Sequence, residues 1–237
     1  MVNLLANLLS ILSLACGFVS LIFSLEGQFT FAAWAIIFSV LFDGLDGQVA
    51  RRNPIPSDFG KELDSLIDTV SFGIAPSILG YIFIYKEFHF GATLALFIYL
   101  LCSVMRLAKY NITPKEAMRN YFYGLPTTVS GGILAAFILI YRNKQDMLFL
   151  LSVPLIFLFL VLLLAFLMVS RVQYLNLDGL KQFFGRHTRT VILLLGILVI
   201  SAGFFQKAGV TIFSLFLIYL LFSPFVVKRL NGKHAPR

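Results

Sequence analysis

The chain has 237 residues, of which 59% are hydrophobic and only 13% are charged, with a formal net charge of +8. A soluble domain carries charge on about a quarter of its residues, so an ordinary soluble globular protein is excluded. The apolar residues come in runs of about 20, the length that a helix needs to cross the hydrocarbon core of a bilayer. The net charge could suggest a nucleic-acid partner, but we predict none, because the basic residues are distributed as membrane topology requires.

Eight apolar runs are candidate transmembrane helices, separated by short junctions. They span residues 4–25, 29–50, 60–85, 90–110, 122–141, 147–169, 189–205 and 209–227. Each run must be helical in lipid, because its backbone amides find partners only within their own segment. The expected fold is all-α, a polytopic helical membrane protein with one domain over residues 1–237. The first run lacks a preceding basic stretch and a cleavage site, so we expect it to be retained.

Lysine and arginine positions predict the orientation of these helices. With a cytoplasmic N-terminus, most of the 19 basic residues fall on the cytoplasmic side. The opposite side receives only Lys86, Arg142, Lys144 and Lys207. Both termini are therefore expected to face the cytoplasm. The basic tail from Lys228 to Arg237 is interpreted as an anchor at the bilayer surface, with specific binding of anionic lipid as the alternative.

Four aspartates occur where apolar helices leave the membrane, although the whole chain has only 11 acidic residues. Burying a carboxylate near lipid costs several kcal/mol unless it is paired, hydrated or bound to metal. Asp43 and Asp46 are three residues apart, and Asp64 and Asp68 are four apart. Each pair therefore occupies one face of its helix.

The two acidic pairs are expected to face each other. The connection between their helices is short and contains prolines, which makes the helices antiparallel neighbours. Four carboxylates on facing helices form an all-oxygen site, and such a site suits Mg²⁺ or Mn²⁺. One or two ions would satisfy the charge, and the sequence does not decide between them.

Small residues beside the acidic pairs predict an approach path for a phosphate. Gly44, Gly47 and Gly60 have no side chain, so a nucleotide or diphosphate can approach the helix backbone. Ala50 keeps the same face thin, and Arg51 supplies a positive fork suited to a diphosphate. Two alternatives remain for the aspartates. They could pair with neighbouring basic residues in a structural network, or line the path of a proton- or cation-coupled transporter or channel.

The acidic segment resembles the signature of the CDP-alcohol phosphotransferase family. The residues that carry this resemblance are Asp43, Gly44, Asp46, Gly47, Ala50, Arg51, Gly60, Asp64 and Asp68. The resemblance implies that the first three aspartates bind metal and that Asp68 is a further ligand or the catalytic base for the acceptor alcohol. It also implies a core of six membrane helices and a homodimer, in the inner membrane of a bacterial or archaeal cell with the site on the cytoplasmic side.

Flanking segments resemble the phosphatidylserine synthase branch of that family. They are the run from Phe59 to Pro76, the run from Arg106 to Asn111, the run from Gly124 to Thr127, and Asn7 with Ser10 and Gly17. The branch pattern is broken at Lys109, Tyr110, Thr127, Thr128, Ala6 and Ser10. The resemblance extends from about residue 3 to 135, and the helices after about 145 carry no specific signal.

The resemblance implies transfer of a phosphatidyl group from CDP-diacylglycerol to L-serine, with release of CMP. Residues expected to contact the CDP-lipid are Asn7, Ser10, Gly44, Gly47, Ala50, Arg51, Gly60 and Ser65. Residues expected to contact serine are Arg106, Lys109 and Asn111. Arg106 is the candidate clamp for the serine carboxylate, and its alternative role is that of a snorkelling anchor.

Other acceptors fit the same signature, namely glycerol 3-phosphate, an inositol phosphate or choline. An ether-linked archaeal CDP-lipid is an alternative donor. A cation channel or transporter would place polar residues along a whole helix, whereas here they concentrate at one membrane face. A catalytically inactive scaffold is a third alternative, which the complete signature disfavours.

Overall fold

The computed structural model describes six stretches of the chain. They are residues 2–50, 58–84, 89–113, 121–141, 147–176 and 208–232. Nearly all of these residues are helical, and two short strands form one small sheet. The predicted span 189–205, Arg51 and the end of the basic tail lie outside the described residues.

The described helices follow one another along the chain, and one of them changes its hydrogen-bond pattern midway. They are α1 (Val2–Leu25), α2 (Phe29–Ala50), α3 (Asp58–Asp68), a π-helical segment (Thr69–Ile74), α4 (Ala75–Ile84), α5 (His89–Ile112), α6 (Thr127–Tyr141), α7 (Met147–Val169) and α8 (Ala208–Gly232). The strands β1 (Tyr121–Tyr123) and β2 (Gln173–Leu175) pair antiparallel. We call α3, the π-helical segment and α4 together the composite helix.

Five helices among the described residues are long and apolar enough to cross a membrane. They are Leu5–Leu25, Phe29–Val49, Phe59–Ile84, Phe90–Ile112 and Ala208–Arg229, each 21 to 26 residues long. The shorter apolar helices are Thr127–Tyr141 and Val153–Val169. The protein is therefore a helical membrane protein, as predicted. Each predicted span except 189–205 corresponds to a described helix, but the total of eight is not confirmed.

The predicted span 122–141 begins too early. Residues 121–123 form β1, and α6 starts only at Thr127. Between them, Gly124 adopts a φ of 77°, a left-handed conformation that favours glycine. Its amide donates to the carbonyl of Val172 at 2.8 Å, and the amide of Leu125 donates to the carbonyl of Leu167 at 3.0 Å. These contacts with the end of α7 and the segment after it hold the turn, and they come from residues too distant in sequence to predict.

A tight turn makes α1 and α2 antiparallel neighbours. Gly27 has a φ of 71°, and the amides of Gly27 and Gln28 donate back to the carbonyls of Ser24 and Phe23. The two helices then pack along each other. Buried hydroxyls join them midway, where the Oγ atoms of Ser13 and Ser39 lie 2.7 Å apart.

The π-helical segment is the most enclosed part of the composite helix. Ser71, Phe72 and Gly73 are buried. The amide of Ala75 donates to the carbonyl of Val70, five residues back, which is the π-helical pattern. Pro76 explains the widening, because a proline ring has no N–H and clashes with the carbonyl four residues earlier.

Glycines let neighbouring helices approach the composite helix closely. A Cβ on Gly17 of α1 would lie 2.6 Å from Ser71 Oγ and 2.9 Å from Ser71 Cα. A Cβ on Gly131 of α6 would lie 3.3 Å from Phe72 Cα. Around this contact the apolar core includes the fully buried side chains of Ile36, Leu79, Tyr99, Leu134, Ile138 and Phe157.

The contact at Gly17 predicts a stability effect. Gly17→Ala forces the backbones of α1 and the π-helical segment apart, and overpacking of this kind costs about 1–3 kcal/mol. We expect a lower apparent Tm for the purified protein in detergent. The control is Gly44→Ala, because no other described element of the chain comes within 4 Å of a Cβ at Gly44 and alanine favours a helix by up to about 1 kcal/mol. Equal Tm values for the two variants would contradict the packing described.

Candidate metal and substrate site

Three carboxylates from two helices meet at one point in the structure. Asp43 lies on α2, and Asp64 and Asp68 lie on α3. One oxygen atom from each can be chosen such that all three lie within 4.8 Å of one another. The helix periodicity brings Asp64 and Asp68 to one face, and the packing of the composite helix brings that face to Asp43. The predicted convergence of the two helices is therefore observed for three of the four aspartates.

Asp46 lies beside this group and has a different partner. It is 5% exposed, and its Oδ2 accepts a hydrogen bond of 2.7 Å from Ser10 Oγ of α1. Asn7, which was predicted together with Ser10 to contact the CDP-lipid, lies one turn before Ser10 on α1 and is half-buried. Thus the first helix supports the acidic group through Ser10, and the four aspartates do not form one symmetrical set.

The donor set fits a hard divalent cation. Carboxylate oxygens are the ligands that Mg²⁺ and Mn²⁺ prefer. Asp68 Oδ1 is buried without a hydrogen-bond partner among the described residues. An unpaired buried carboxylate oxygen is costly, and it points to a missing positive partner at this position.

Open space lies next to the acidic group on α2. Within the described part of the chain, and apart from the neighbouring turns of α2 itself, no atom lies within 4 Å of the position that a Cβ would take at Gly44 or Gly47. The described residues therefore leave space beside the backbone at both glycines, and their contact with a ligand stays a prediction. Gly60 lies in the first turns of α3. Ala50 is the last residue of α2, while Arg51 lies outside the described residues.

Two predicted ligand residues contact each other instead of lying apart. Ser65 Oγ and the side-chain amide of Asn111 are joined at 2.9 and 3.1 Å. Lys61 Nζ donates to the carbonyl of Asn111 at 2.6 Å. These bonds attach the C-terminal end of α5 to α3, within a turn of Asp64. Ser65 and Asn111 therefore have a structural role in addition to any contact with substrate.

Arg106 lies on α5 with part of its guanidinium unpaired. Its Nη1 donates to Thr127 Oγ1 at 3.3 Å, and its Cζ lies 6.0 Å from the centre of the Tyr110 ring. Its Nε is buried without a partner among the described residues. Its charge also acts on Asp68 and Asp43. These contacts hold Arg106 against Thr127 and Tyr110, and its role as carboxylate clamp or as snorkelling anchor stays a prediction.

A cavity of about 160 Å³ lies beside Arg106. Arg106, Lys109 and Tyr110 of α5 form one wall, and Tyr123 and Ser170 contribute from the strand region and the end of α7. The cavity has room for several water-sized groups. Its lining combines the basic and hydroxyl groups with apolar side chains, namely those of Met105, Met168 and Val169.

Sequence reasoning missed three contributors to this part of the site. Thr127 contacts Arg106, and Tyr123 and Ser170 line the cavity. Thr127 belongs to the element from Gly124 to Thr127, so the resemblance gave a signal for it that was not used. Ser170 follows α7, for which the sequence carried no specific signal.

The comparison with known families agrees with the geometry. The family described as CDP-alcohol phosphatidyltransferase matches residues 3–166. This match covers both aspartate pairs, Arg106 and Thr127, and it extends into α7, beyond the region where the resemblance was recognised. Members of the family are metal-dependent in general, which agrees with the acidic group.

Curated relatives give the same result. A CDP-diacylglycerol–serine O-phosphatidyltransferase of Helicobacter pylori is 35% identical over 179 residues, covering 74% of this chain and 73% of the relative. The archaetidylserine synthase of Methanothermobacter thermautotrophicus is 33% identical over 181 residues, covering 74% and 71%. A CDP-diacylglycerol–serine O-phosphatidyltransferase of Methanocaldococcus jannaschii is 41% identical over 103 residues, covering 43% and 47%. The chain therefore belongs to the CDP-alcohol phosphatidyltransferase family.

Proposed function

We propose that the protein transfers a phosphatidyl group from CDP-diacylglycerol to L-serine, giving phosphatidylserine and CMP. The observation that carries the proposal is the convergence of Asp43, Asp64 and Asp68 within 4.8 Å in apolar helices. The names of the relatives support serine as the acceptor. One substrate is a lipid and the other is water-soluble, and a site at the end of membrane helices is accessible to both.

Asp43, Asp64 and Asp68, with Asp46 beside them, would hold Mg²⁺ or Mn²⁺, as one or two ions. The bound cation would neutralise the diphosphate and the charge that develops on the departing CMP. The open faces of Gly44 and Gly47 would admit the diphosphate, with Gly60 and Ala50 nearby and Arg51 as a positive partner. On α1, Ser10 fixes Asp46, and Asn7 would contact the nucleotide.

The reaction forms one P–O bond and breaks another. The serine hydroxyl oxygen attacks the phosphorus of the phosphatidyl group, and the bond from that phosphorus to the bridging oxygen of CMP breaks. A serine hydroxyl is a weak nucleophile at neutral pH, so a base must accept its proton. Asp68 is the proposed base, as the resemblance to the family signature implies, and it lies at the C-terminal end of α3, one turn beyond Asp64.

The cavity beside Arg106 is the proposed acceptor site. The guanidinium of Arg106, which lines this cavity, would donate to the serine carboxylate, since a charged donor of fixed geometry suits a carboxylate. Lys109 lines the same cavity. Asn111 would act with Ser65 at the other end of the site. Thr127 would position Arg106 without contacting substrate.

The assembly and location are also proposals. We infer a homodimer in the inner membrane of a bacterial or archaeal cell, with both termini and the site on the cytoplasmic side. The distribution of basic residues supports this orientation. The archaeal relatives leave an ether-linked CDP-lipid as the second candidate donor.

An acceptor panel tests the proposed function. Purified protein in nanodiscs is given CDP-diacylglycerol, Mg²⁺ or Mn²⁺, and one of L-serine, glycerol 3-phosphate, inositol phosphate or choline. We expect CMP release to be greatest with L-serine and to stop when EDTA removes the ion. A parallel series with an ether-linked CDP-lipid identifies the preferred donor. Cation flux through sealed vesicles without CMP release would favour the channel alternative.

Asp68→Asn tests the proposed base. An amide cannot accept the proton, so kcat should fall by about 100-fold or more. Glu62→Gln is the matched control, because Glu62 is an exposed acidic residue on the same helix, and its kcat should stay within about twofold of the wild type. CMP release at the wild-type rate from Asp68→Asn would remove Asp68 from this role.

Arg106→Lys and Thr127→Val test the acceptor site. A hydrogen bond to a charged group contributes about 1.5–3 kcal/mol, so Arg106→Lys should raise the KM for serine by about tenfold or more. Thr127→Val removes the hydroxyl while keeping the shape, and it should raise the same KM by a smaller factor. The KM for CDP-diacylglycerol should stay at the wild-type value in both variants.

Two variants serve as controls for these measurements. Thr127→Ser keeps the hydroxyl and should restore the serine KM, and Arg229→Lys changes an exposed arginine on α8. A serine KM that does not change in Arg106→Lys would exclude Arg106 as the carboxylate clamp.

A further inference from the structure

Asp68 is directly followed by the π-helical segment, so the conformation of that segment sets the direction in which the acidic face points. A helix advances about 100° per residue. A π-helical turn holds one residue more than an α-helical turn. Closing the segment to a regular α-helix would therefore rotate Asp64 and Asp68 by about 100° relative to α4. They would no longer face Asp43.

A π-helical turn needs support from outside the helix. Pro76 lacks an N–H, so the carbonyl of Phe72, four residues earlier, has no α-helical donor. The hydroxyl of Tyr99 on α5 supplies one, donating to the Phe72 carbonyl at 3.0 Å. Both residues are completely buried. A buried carbonyl left without a donor costs about 1–3 kcal/mol.

Tyr99 is itself held in place from a third helix. Ser130 Oγ of α6 donates to the Tyr99 hydroxyl oxygen at 3.1 Å, and Ser130 is 0% exposed. Ser130 of α6, Tyr99 of α5 and the Phe72 carbonyl of the π-helical segment thus form one continuous hydrogen-bonded chain. None of Phe72, Tyr99 and Ser130 lines the cavity beside Arg106.

We propose that Tyr99 is a positioning residue for the metal-binding carboxylates, acting through the Phe72 carbonyl and the π-helical segment. The hydroxyl of Tyr99 keeps the wide turn from closing or shifting by one residue. Asp64 and Asp68 then keep the rotation at which they meet Asp43. This inference rests on the proposed metal site, and its test measures ion binding directly.

The test is Mn²⁺ binding to the purified protein in detergent, without substrate, measured by electron paramagnetic resonance. Tyr99→Phe should bind Mn²⁺ about three- to tenfold more weakly than the wild type. The matched control is Tyr219→Phe, because the Tyr219 hydroxyl also donates to a backbone carbonyl, that of Leu175, at 2.8 Å. The Mn²⁺ affinity of Tyr219→Phe should stay within about twofold of the wild type, although its Tm should fall by about as much as that of Tyr99→Phe.

Wild-type affinity in Tyr99→Phe, or an equal loss in both tyrosine variants, would overturn the role of Tyr99. Failure of the wild type to bind Mn²⁺ would overturn the metal site as well, which separates the two failures. If Tyr99→Phe does not fold, Ser130→Ala decides, because it removes the hydroxyl that holds Tyr99. Weaker Mn²⁺ binding by Ser130→Ala than by Tyr219→Phe supports the proposal, and wild-type Mn²⁺ affinity in Ser130→Ala refutes it.

Discussion

Negative charge held among apolar helices is the constraint on which the rest of the structure depends. Asp43, Asp64 and Asp68 approach within 4.8 Å in segments that otherwise suit lipid. Like charges repel strongly where water is scarce, so such a cluster persists only if protons, hydrogen bonds or a cation compensate it. The unpaired Asp68 Oδ1 shows that the described protein groups do not complete this compensation. The membership of the chain in a family that acts on CDP-alcohols gives the cluster a chemical purpose.

Contacts between the helices fix the positions of the aspartates despite their mutual repulsion. Polar groups that face away from lipid do most of this: Ser10 binds Asp46, Ser13 meets Ser39, and Lys61 joins α3 to α5. Apolar packing alone gives membrane helices little specificity, because lipid chains are as apolar as the core. Close approach at Gly17 and buried hydroxyl contacts define the arrangement of α1, α2 and the composite helix.

Local sequence predicted the helical class, most helix bounds and the pairing of acidic faces, because these depend on apolar run length and on spacings of three and four residues. It did not predict β1, which needs β2 from 50 residues away in the chain, nor the separate partner of Asp46. The π-helical segment was also missed, although Pro76 gave a local reason for it. Thr127 reaches Arg106, and Ser170 reaches the cavity beside Arg106, through tertiary contacts only. The functional roles of the individual side chains stay predictions, as does the single-domain organisation.

The cavity beside Arg106 and the acidic cluster are built from different parts of the chain. The cluster belongs to α2 and α3, whereas the cavity wall combines α5 with Tyr123, the last residue of β1, and Ser170, which precedes β2. Substitutions around that sheet can therefore reshape the cavity without displacing a carboxylate. Under the proposed function, this division separates the part of the fold that would select the alcohol from the part that would handle the activated lipid.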